Sequence, residues 1–143
     1  MKQALHTLLQ PSLQQLSAQD AQYLYLETNN HLTHVTSVTL FDPSTAPNGK
    51  VRFKQIIEHF QNRIHTSPIY RRKLYKVPLE LDFPYWIDDE YFDIEYHIRH
   101  SRLPQPNDWR QFCIFLARYH SRPLDMNRPL WDCLLYTSDA ADD

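Results

Sequence analysis

The sequence predicts an α+β domain, in which helices and strands mix without a strict β-α-β alternation. One observation is the stretch from Phe53 to Ile64, where apolar residues recur at the 3.6-residue spacing of a helix face. Another is the stretch from Phe92 to Arg99, where apolar and polar residues alternate at every position. Such alternation is typical of a strand with one dry face and one wet face. A chain that contains both patterns belongs to a mixed class.

The first long helix is predicted to begin after Ser17 and to continue to Thr28. The Ser17 side chain can accept a hydrogen bond from the backbone N–H of Asp20. The Asp20 carboxylate also suits the positive end of the helix dipole. Leu16 precedes this cap, so we expect it to pack on Ala21 as a hydrophobic staple.

A strand, a loop and a second helix are predicted next. Residues 34–41 are rich in β-branched and aromatic side chains, which favours a strand. Residues 42–49 hold several turn-forming residues. The helix that follows is predicted over residues 53–64, with Pro68 as its end signal. Its apolar face is made by Phe53, Ile56, Ile57, Phe60 and Ile64.

The second half of the chain is predicted to hold further strands and one more helix. Residues 69–77 form a basic connector or short strand, and residues 85–87 form a strand. In the strand over residues 92–99, the alternation turns His97 away from Tyr96 and Ile98, toward polar surroundings or solvent. The last helix covers residues 109–120, with Asn107 or Asp108 as its cap, and ends before Pro123.

Composition bounds the kinds of function that the chain can have. Its 143 residues suit about one domain, and 42% hydrophobic residues suit a packed core. Gly49 is the single glycine, so no glycine-rich phosphate loop can be assembled. A net charge of −2 offers no general attraction for nucleic acid. No apolar run approaches the roughly 18 residues of a membrane span.

Metal ligation is not favoured by the histidine spacing. His97 and His100 are three apart in a segment of period two, so they are expected on opposite faces. His31 and His34 have no cysteine or carboxylate at a metal-binding spacing. We therefore interpret these histidines as surface residues.

Charged clusters are interpreted as solvated surface. Asp88, Asp89 and Glu90 could suggest paired catalytic carboxylates. An acidic turn between strands is the favoured interpretation. Basic residues interleaved with tyrosines could contact nucleic acid or anionic lipid headgroups. The acidic run beside them cancels their charge, so a solvated face is favoured again. This basic group comprises Arg63, Arg71, Arg72, Lys73 and Lys76.

The two cysteines predict neither a disulfide framework nor a nucleophile. Cys113 and His120 lie two turns apart on one helix, about 10 Å along its axis, which is beyond hydrogen-bond reach. Cys113 is therefore expected to be a core thiol. Cysteine usage this low suits a reducing cytoplasm.

A series of short motifs gives the chain a family resemblance. The stretch His120–Trp131, with the sequence HSRPLDMNRPLW, resembles a block of the wax ester synthase/diacylglycerol acyltransferase family. Earlier segments resemble the family's preceding motifs in the same order: LSAQD at Leu16, HV at His34, RRKL at Arg71, WIDD at Trp86, FD at Phe92 and YH at Tyr96. Ala18 and Thr36 stand where the family more often has proline and glycine.

The resemblance implies a fold and an activity. The fold is the N-terminal half of a chloramphenicol acetyltransferase-like, CoA-dependent acyltransferase, a sheet with covering helices. The activity is transfer of a fatty acyl group from acyl-CoA to diacylglycerol or a long-chain alcohol. In the family, the second histidine of a His-His-x-x-x-Asp-Gly motif is the general base. No His-His pair occurs in these 143 residues, so no catalytic residue is assigned and the chain itself is expected to be inactive.

The resemblance also implies which residues and partners take part in binding. Pro129, Leu130 and Trp131 match a signature near the active site and are the candidate substrate-binding residues. We expect no resident cofactor and no metal, because acyl-CoA is a substrate. A cytoplasmic location is expected, with peripheral contact to the inner membrane or a lipid-droplet surface, and without nucleic acid as a partner.

The domain organisation is predicted in three parts. Residues 1–15 are an N-terminal extension, with a short helix on Leu5, Leu8 and Leu9. Residues 16–132 are a partial acyltransferase N-terminal domain. Residues 133–142 can be back-translated into a sequence that resembles a transposase adapter used for sequencing libraries, so we expect residues 133–143 to be a non-native tail. Within it, residues 134–137 favour a strand, whereas residues 138–143 are expected to be exposed.

Two other classes of function stay open at this point. A condensation-type acyl or peptidyl transferase would share the fold and differ in the sequence after Trp131. A non-catalytic lipid-binding module would lack the histidine motif altogether.

Overall fold

The computed structural model describes residues 13–102, 105, 106 and 108–137, which fall into two compact units. The first unit holds residues up to Thr33, Ser67–Phe92 and Asp125–Leu130. The second holds His34–Thr66, Asp93–Leu124 and the residues from Trp131 onward. The predicted short helix on Leu5, Leu8 and Leu9, the Asn107 cap and the residues after Thr137 lie outside the described residues.

A three-stranded antiparallel sheet forms the frame of the first unit. Its strands are β1 (Gln14–Gln15), β2 (Arg72–Tyr75) and β3 (Tyr85–Asp88), in the order β1-β3-β2. Leu74 of β2 is in register with Trp86 of β3. The predicted strand at residues 85–87 is confirmed, and the basic stretch before it contains a short strand, one of the two alternatives.

Helix α1 (Ala18–Leu26) closes the core of this unit. The Ser17 hydroxyl oxygen accepts a hydrogen bond from the backbone N–H of Asp20 at 3.1 Å, as predicted. The helix ends two residues before the predicted Thr28, with Glu27 in an extended conformation. The buried side chains of the core are Leu16, Ala21 and Leu74, with Leu24, Trp86, Met126 and Leu130 packed against them.

The connection from β2 to β3 contains a backbone conformation that is rare for residues with a side chain. Leu79 has φ of 59° and Glu80 has φ of 53°, both in the left-handed region. This conformation costs roughly 1 kcal/mol per residue because Cβ crowds the following carbonyl oxygen. The Leu79 side chain is 88% exposed, so no burial offsets the strain.

The second unit pairs two parallel strands with three helices. It contains α2 (Phe53–Gln61), α3 (Ile94–His97), β4 (Ile98–Arg102), α4 (Trp109–His120) and β5 (Cys133–Thr137). Strand β5 runs parallel to β4, with Cys133 opposite Ile98. The prediction of a strand in residues 134–137 is therefore confirmed. The core of the second unit contains the buried residues Ile57, Ile94 and Ile98.

Helix α4 has the predicted bounds and the predicted end signals. The Asp108 carboxylate accepts a hydrogen bond from the backbone N–H of Gln111 at 2.8 Å, which fixes the N-terminus. Phe112 and Phe115 of α4 contact the Tyr136 ring of β5, with centroid distances of 6.2 and 5.6 Å. This aromatic contact packs the helix on the parallel strand pair.

The strand predicted over residues 92–99 is wrong for residues 92–97, whereas Ile98 and Arg99 begin strand β4. Asp93 caps a single helical turn, since its carboxylate accepts a hydrogen bond from the Glu95 backbone N–H at 2.9 Å. Ile94, His97 and Ile98 are all buried, which is the i, i+3, i+4 pattern of a helix face. His97, predicted to turn away from Ile98 toward polar surroundings or solvent, is only 2% exposed and is buried together with Ile98. Ile94 and Ile98 fit both a period of two and a helical period, and the Asp93 cap makes residues 94–97 a helical turn.

The strand predicted over residues 34–41 is also wrong. These residues have no regular secondary structure, and no described strand pairs with them. A strand needs a partner for its backbone N–H and C=O groups. Side-chain composition favours the conformation but supplies no such partner.

Helix α2 is shorter than predicted. It ends at Gln61, and a separate 3-10 turn (Ile64–Thr66) follows before Pro68. Ile57 is buried on its apolar face, whereas Phe60 is 37% exposed. Proline disfavours continuation of a helix, but it does not require the helix to extend as far as the proline.

Candidate functional site

Two of the candidate substrate-binding residues lie in the first unit. Pro129 is buried, and Leu130 packs against the core of Leu16, Ala21 and Leu74. Just before them, Asp125 accepts a hydrogen bond from the Asn127 backbone N–H at 2.9 Å, which forms a turn. Burial shows that Pro129 and Leu130 have a packing role in this unit.

The third candidate, Trp131, lies in the second unit and is held by His97. The two rings stack with centroids 4.6 Å apart and planes 18° apart. His97 Nδ1 is 2.8 Å from the carbonyl oxygen of Trp131. A carbonyl oxygen only accepts, so Nδ1 carries the proton and donates. Helix α3 thereby fixes both the ring and the backbone of Trp131.

An ion pair follows directly after Trp131. The Arg99 guanidinium of β4 donates a hydrogen bond to Asp132 Oδ2. The Arg99 Cζ atom also lies 6.0 Å from the centroid of the Tyr119 ring of α4. Burial raises the pKa of Tyr119, the nearby Asp132 carboxylate raises it further, and Arg99 opposes the shift. Asp132, the residue after the His120–Trp131 block, thus forms an ion pair with Arg99 of β4, and the same arginine contacts the Tyr119 ring of α4.

The first residue of that block, His120, contacts the segment of the predicted strand at residues 34–41. His34 Nε2 donates a hydrogen bond to the His120 carbonyl oxygen at 2.9 Å, and the two rings meet edge to face at 4.9 Å. The Thr36 hydroxyl is 2.7 Å from His120 Nδ1. Because His34 makes these contacts and is half-buried, interpreting it as a surface histidine was wrong; His31 is exposed, as predicted.

Two residues of the basic cluster form ion pairs with two residues of the acidic cluster. Arg72 Nε is 3.2 Å from Asp88 Oδ1 across the β2-β3 pair. Lys73 Nζ is 2.8 Å from Asp89 Oδ1, and the Asp89 side chain is only 5% exposed. The solvated acidic turn is therefore wrong for Asp89, which is a buried ion-pair partner. Arg71 lies over the Phe92 ring at 5.9 Å, so these basic groups are engaged within the unit.

Within residues 13–102 and 108–137, no group of three histidine, cysteine, aspartate or glutamate side chains could hold a metal ion. Cys113 is exposed, so its assignment as a core thiol is wrong. Cys113 lies about 100° around the helix from Phe112, which contacts Tyr136 of β5.

A shallow surface cleft occurs in the first unit. It has a volume of about 270 Å³ and is lined by Tyr25, Glu80, Leu81, Asp82 and Phe83. The two carboxylates on its wall oppose the phosphate groups of a CoA ester. This cleft is therefore not a candidate site for acyl-CoA.

Sequence reasoning missed three contacts around the His120–Trp131 block. His97 pairs with Trp131, and His34 and Thr36 pair with His120, although 34, 86 and 84 positions separate these residues. The one available signal was that both histidines sit inside the motifs that carry the family resemblance.

The fold is that of the CoA-dependent acyltransferases. The structure superimposes with a TM-score of 0.63 on the wax ester synthase/diacylglycerol acyltransferase of Marinobacter aquaeolei VT8. The two sequences are 22% identical, and the match covers 87% of this chain and 31% of that enzyme. The mixture of sheet and helices in this chain confirms the predicted α+β class.

The chain belongs to the wax ester synthase/diacylglycerol acyltransferase family. The family model of the wax ester synthase/diacylglycerol acyltransferase catalytic domain matches residues 16–136, most of the chain. A protein of Mycobacterium tuberculosis strain H37Rv named as a diacylglycerol O-acyltransferase is 38% identical over 120 residues, 84% of this chain and 43% of that protein. Another from the same strain is 33% identical over 119 residues, 83% of this chain and 25% of that protein. The chain thus spans between a quarter and a half of these relatives.

One further finding concerns the membrane. No helix in the described ranges is both long and apolar enough to cross a bilayer.

Proposed function

We propose that this chain is the N-terminal portion of an acyl-CoA-dependent O-acyltransferase that esterifies diacylglycerol or a long-chain alcohol. The family match over residues 16–136 carries the proposal. Relatives named as diacylglycerol O-acyltransferases support diacylglycerol as an acceptor. The name of the Marinobacter enzyme, which includes wax ester synthesis, supports a long-chain alcohol as the other.

The reaction needs a base, and we propose that the described residues of this chain do not supply it. The acceptor hydroxyl must lose its proton as its oxygen attacks the thioester carbonyl, and CoA leaves as the thiol after taking up a proton. His97 is buried and holds Trp131, and His120 Nδ1 lies against Thr36. The family resemblance gives the role of base to a His-His-x-x-x-Asp-Gly motif. We therefore propose that the 143 residues alone catalyse no acyl transfer.

Pro129, Leu130 and Trp131 are proposed to contact the substrate in the complete protein. In support, Leu130 packs on the core within the first unit, and Trp131 stacks on His97 within the second. A rigid apolar wall suits an acyl chain, since it excludes water without further ordering of the protein.

Peripheral contact with the inner membrane or a lipid droplet is proposed as well. The support is chemical: both proposed acceptors partition into lipid, so the enzyme must meet them at a surface. Cytoplasmic location follows the acyl-CoA supply and is part of the same proposal.

The test is an assay of CoA release after recovery of the complete coding sequence. The acyl donor is palmitoyl-CoA, and hexadecanol and dioleoylglycerol are offered separately. Turnover that depends on either acceptor supports the proposal. Lipid binding without CoA release would instead support a non-catalytic lipid-binding module, and transfer to an amine would support a condensation-type enzyme.

A Trp131→Ala variant of the complete protein tests the proposed substrate wall. A lower kcat/KM that falls further with longer acyl chains is expected, with Trp109→Ala as the control because Trp109 is 66% exposed. Equal loss for every chain length would assign Trp131 to folding alone.

A further inference from the structure

His97 and Trp131 are brought together by the parallel strand pair of the second unit. Each residue lies just before one strand of that pair, His97 directly before β4 and Trp131 two positions before β5. Because the strands run parallel with Ile98 opposite Cys133, the residues that precede them also lie side by side. The contact between His97 and Trp131 therefore follows from the strand register.

His97 contacts Trp131 at two separate points. Its imidazole stacks on the indole with ring centroids 4.6 Å apart, which engages the side chain. Its Nδ1–H donates a hydrogen bond of 2.8 Å to the Trp131 carbonyl oxygen, which engages the backbone. The Tyr96 ring meets the imidazole edge to face, with centroids 5.3 Å apart and planes 80° apart. One residue thus holds both the main chain and the side chain of Trp131, and a neighbouring ring contacts that residue in turn.

The chemical type of this buried side chain matters. His97 is one of the two largest fully buried side chains among the described residues. Burial of a polar ring costs free energy unless its hydrogen bonds are made. Phenylalanine would stack on the indole without donating to the carbonyl oxygen, and asparagine would donate without stacking, whereas histidine does both. Trp131 itself is only half-buried, so part of its indole surface is open to solvent.

We propose that His97 is a positioning residue, which holds the Trp131 indole in one orientation and thereby sets the preference of the enzyme among acyl-chain lengths. This inference rests on the proposed function, in which Trp131 contacts the substrate. An apolar wall discriminates between chain lengths through the methylene groups that it covers, and this requires the wall to keep its place. His97 acts through Trp131 and does not itself contact the substrate.

Fluorine NMR of the 143-residue chain labelled with 5-fluorotryptophan tests the positioning without any need for activity. The three tryptophans give three signals, and Trp131→Phe assigns the signal of Trp131. His97→Phe keeps a ring but removes the donor, and His97→Asn keeps a donor but removes the ring. Each variant is expected to shift and broaden the Trp131 signal, while the signal of Trp109, which is 66% exposed, stays in place.

Circular dichroism checks that each variant is folded. The two substitutions differ in size, so a folding failure of one leaves the other to decide. An unchanged Trp131 signal in a folded variant overturns the positioning role.

Chain-length selectivity of the complete protein tests the consequence for the reaction. The readout is the ratio of kcat/KM for palmitoyl-CoA to kcat/KM for octanoyl-CoA. His97→Phe and His97→Asn are each expected to lower this ratio at least about fivefold. Neither substitution should lower the ratio further in a protein that already carries Trp131→Ala, because both act through the same indole. Lost folding lowers both rates alike, so Asp89→Ala, which breaks the ion pair with Lys73, is the control and should leave the ratio unchanged.

The failure of each claim gives a different result. An unchanged ratio in an active enzyme overturns the role of His97 in selectivity, and so does a further loss in the protein that carries Trp131→Ala. A complete protein without acceptor-dependent turnover contradicts the proposed function and, with it, the role in selectivity. The fluorine signal of the 143-residue chain then decides the positioning role by itself.

Discussion

His97 and Trp131 stack at 4.6 Å, and the His97 imidazole also donates a hydrogen bond to the Trp131 carbonyl oxygen. This relationship joins two motifs of the family resemblance that are far apart in sequence. It gives His97 a structural role, because its donating nitrogen is already used. It also holds Trp131, which follows Pro129 and Leu130 in the sequence, in one position.

Substitution of His97 is expected to destabilise the fold in two separable steps. His97→Phe keeps an aromatic ring but removes the hydrogen bond, at a cost of about 1–2 kcal/mol. His97→Ala also removes the stack and leaves a cavity, at a cost of about 3 kcal/mol. Urea unfolding measures both. His65→Ala, at an exposed position, is the control, and equal losses for all three variants would contradict the role of His97.

Asp88 and Asp89 are adjacent aspartates, of which Asp89 is buried and Asp88 is exposed. The Asp89 side chain is 5% exposed and binds Lys73, whereas the Asp88 side chain is 59% exposed. Asp89→Ala is expected to lower the free energy of unfolding by about 2 kcal/mol, because Lys73 loses its partner in a partly buried place. Asp88→Ala is expected to cost less than about 1 kcal/mol. A larger loss from Asp88→Ala, measured by denaturant unfolding, would reverse this assignment.

Relief of backbone strain at Leu79 is expected to stabilise the first unit. Leu79→Asn should raise the free energy of unfolding by up to about 1 kcal/mol, since asparagine tolerates the left-handed conformation that leucine resists. Leu81→Asn is the matched control, because Leu81 is 79% exposed and has φ of −72°. If both variants shift the midpoint equally, the change comes from lost hydrophobic surface, and the strain argument fails.

Alkaline pH is expected to destabilise the second unit through Cys133. Burial raises the pKa of the Cys133 thiol above its ordinary value of 9.0, and the Asp132 carboxylate raises it further. The folded state therefore holds this proton more tightly than the unfolded state does. The resulting stability is fully present below pH 9 and is lost as pH rises through the folded pKa.

Two serine variants check this pH dependence. Cys133→Ser should flatten the fall of the urea midpoint above pH 9, whereas Cys113→Ser, at an exposed thiol, should leave it as in the wild type. The raised pKa of Tyr119 adds a further loss above its ordinary value of 10.0 in all three chains. An unchanged slope in Cys133→Ser would show that the thiol does not contribute.

Local signals in the sequence predicted the fold well where a single residue decides the structure. Ser17 and Asp108 were expected as caps, and both accept the hydrogen bonds that define a helix start. The mixed fold class followed from the helical and alternating patterns, the family followed from the ordered motifs, and both are confirmed.

Prediction failed where the outcome depends on distant partners. The apolar positions of Phe92–Arg99 fit either a strand or a helical turn. The Asp93 cap stabilises the helical turn. The stretch 34–41 has the composition of a strand, but pairing requires a second backbone that composition does not specify. The burial of His97 depends on Trp131, 34 positions away, which local periodicity does not reveal.

The most direct test of the proposed function compares CoA release by the complete protein and by the 143-residue chain in one assay. With palmitoyl-CoA and either hexadecanol or dioleoylglycerol, the complete protein is expected to release CoA only when an acceptor is present. The 143-residue chain is expected to match the rate without protein. Turnover by this chain above that rate would place the base among its own residues, and a complete protein without acceptor-dependent turnover would contradict the proposed acyltransferase.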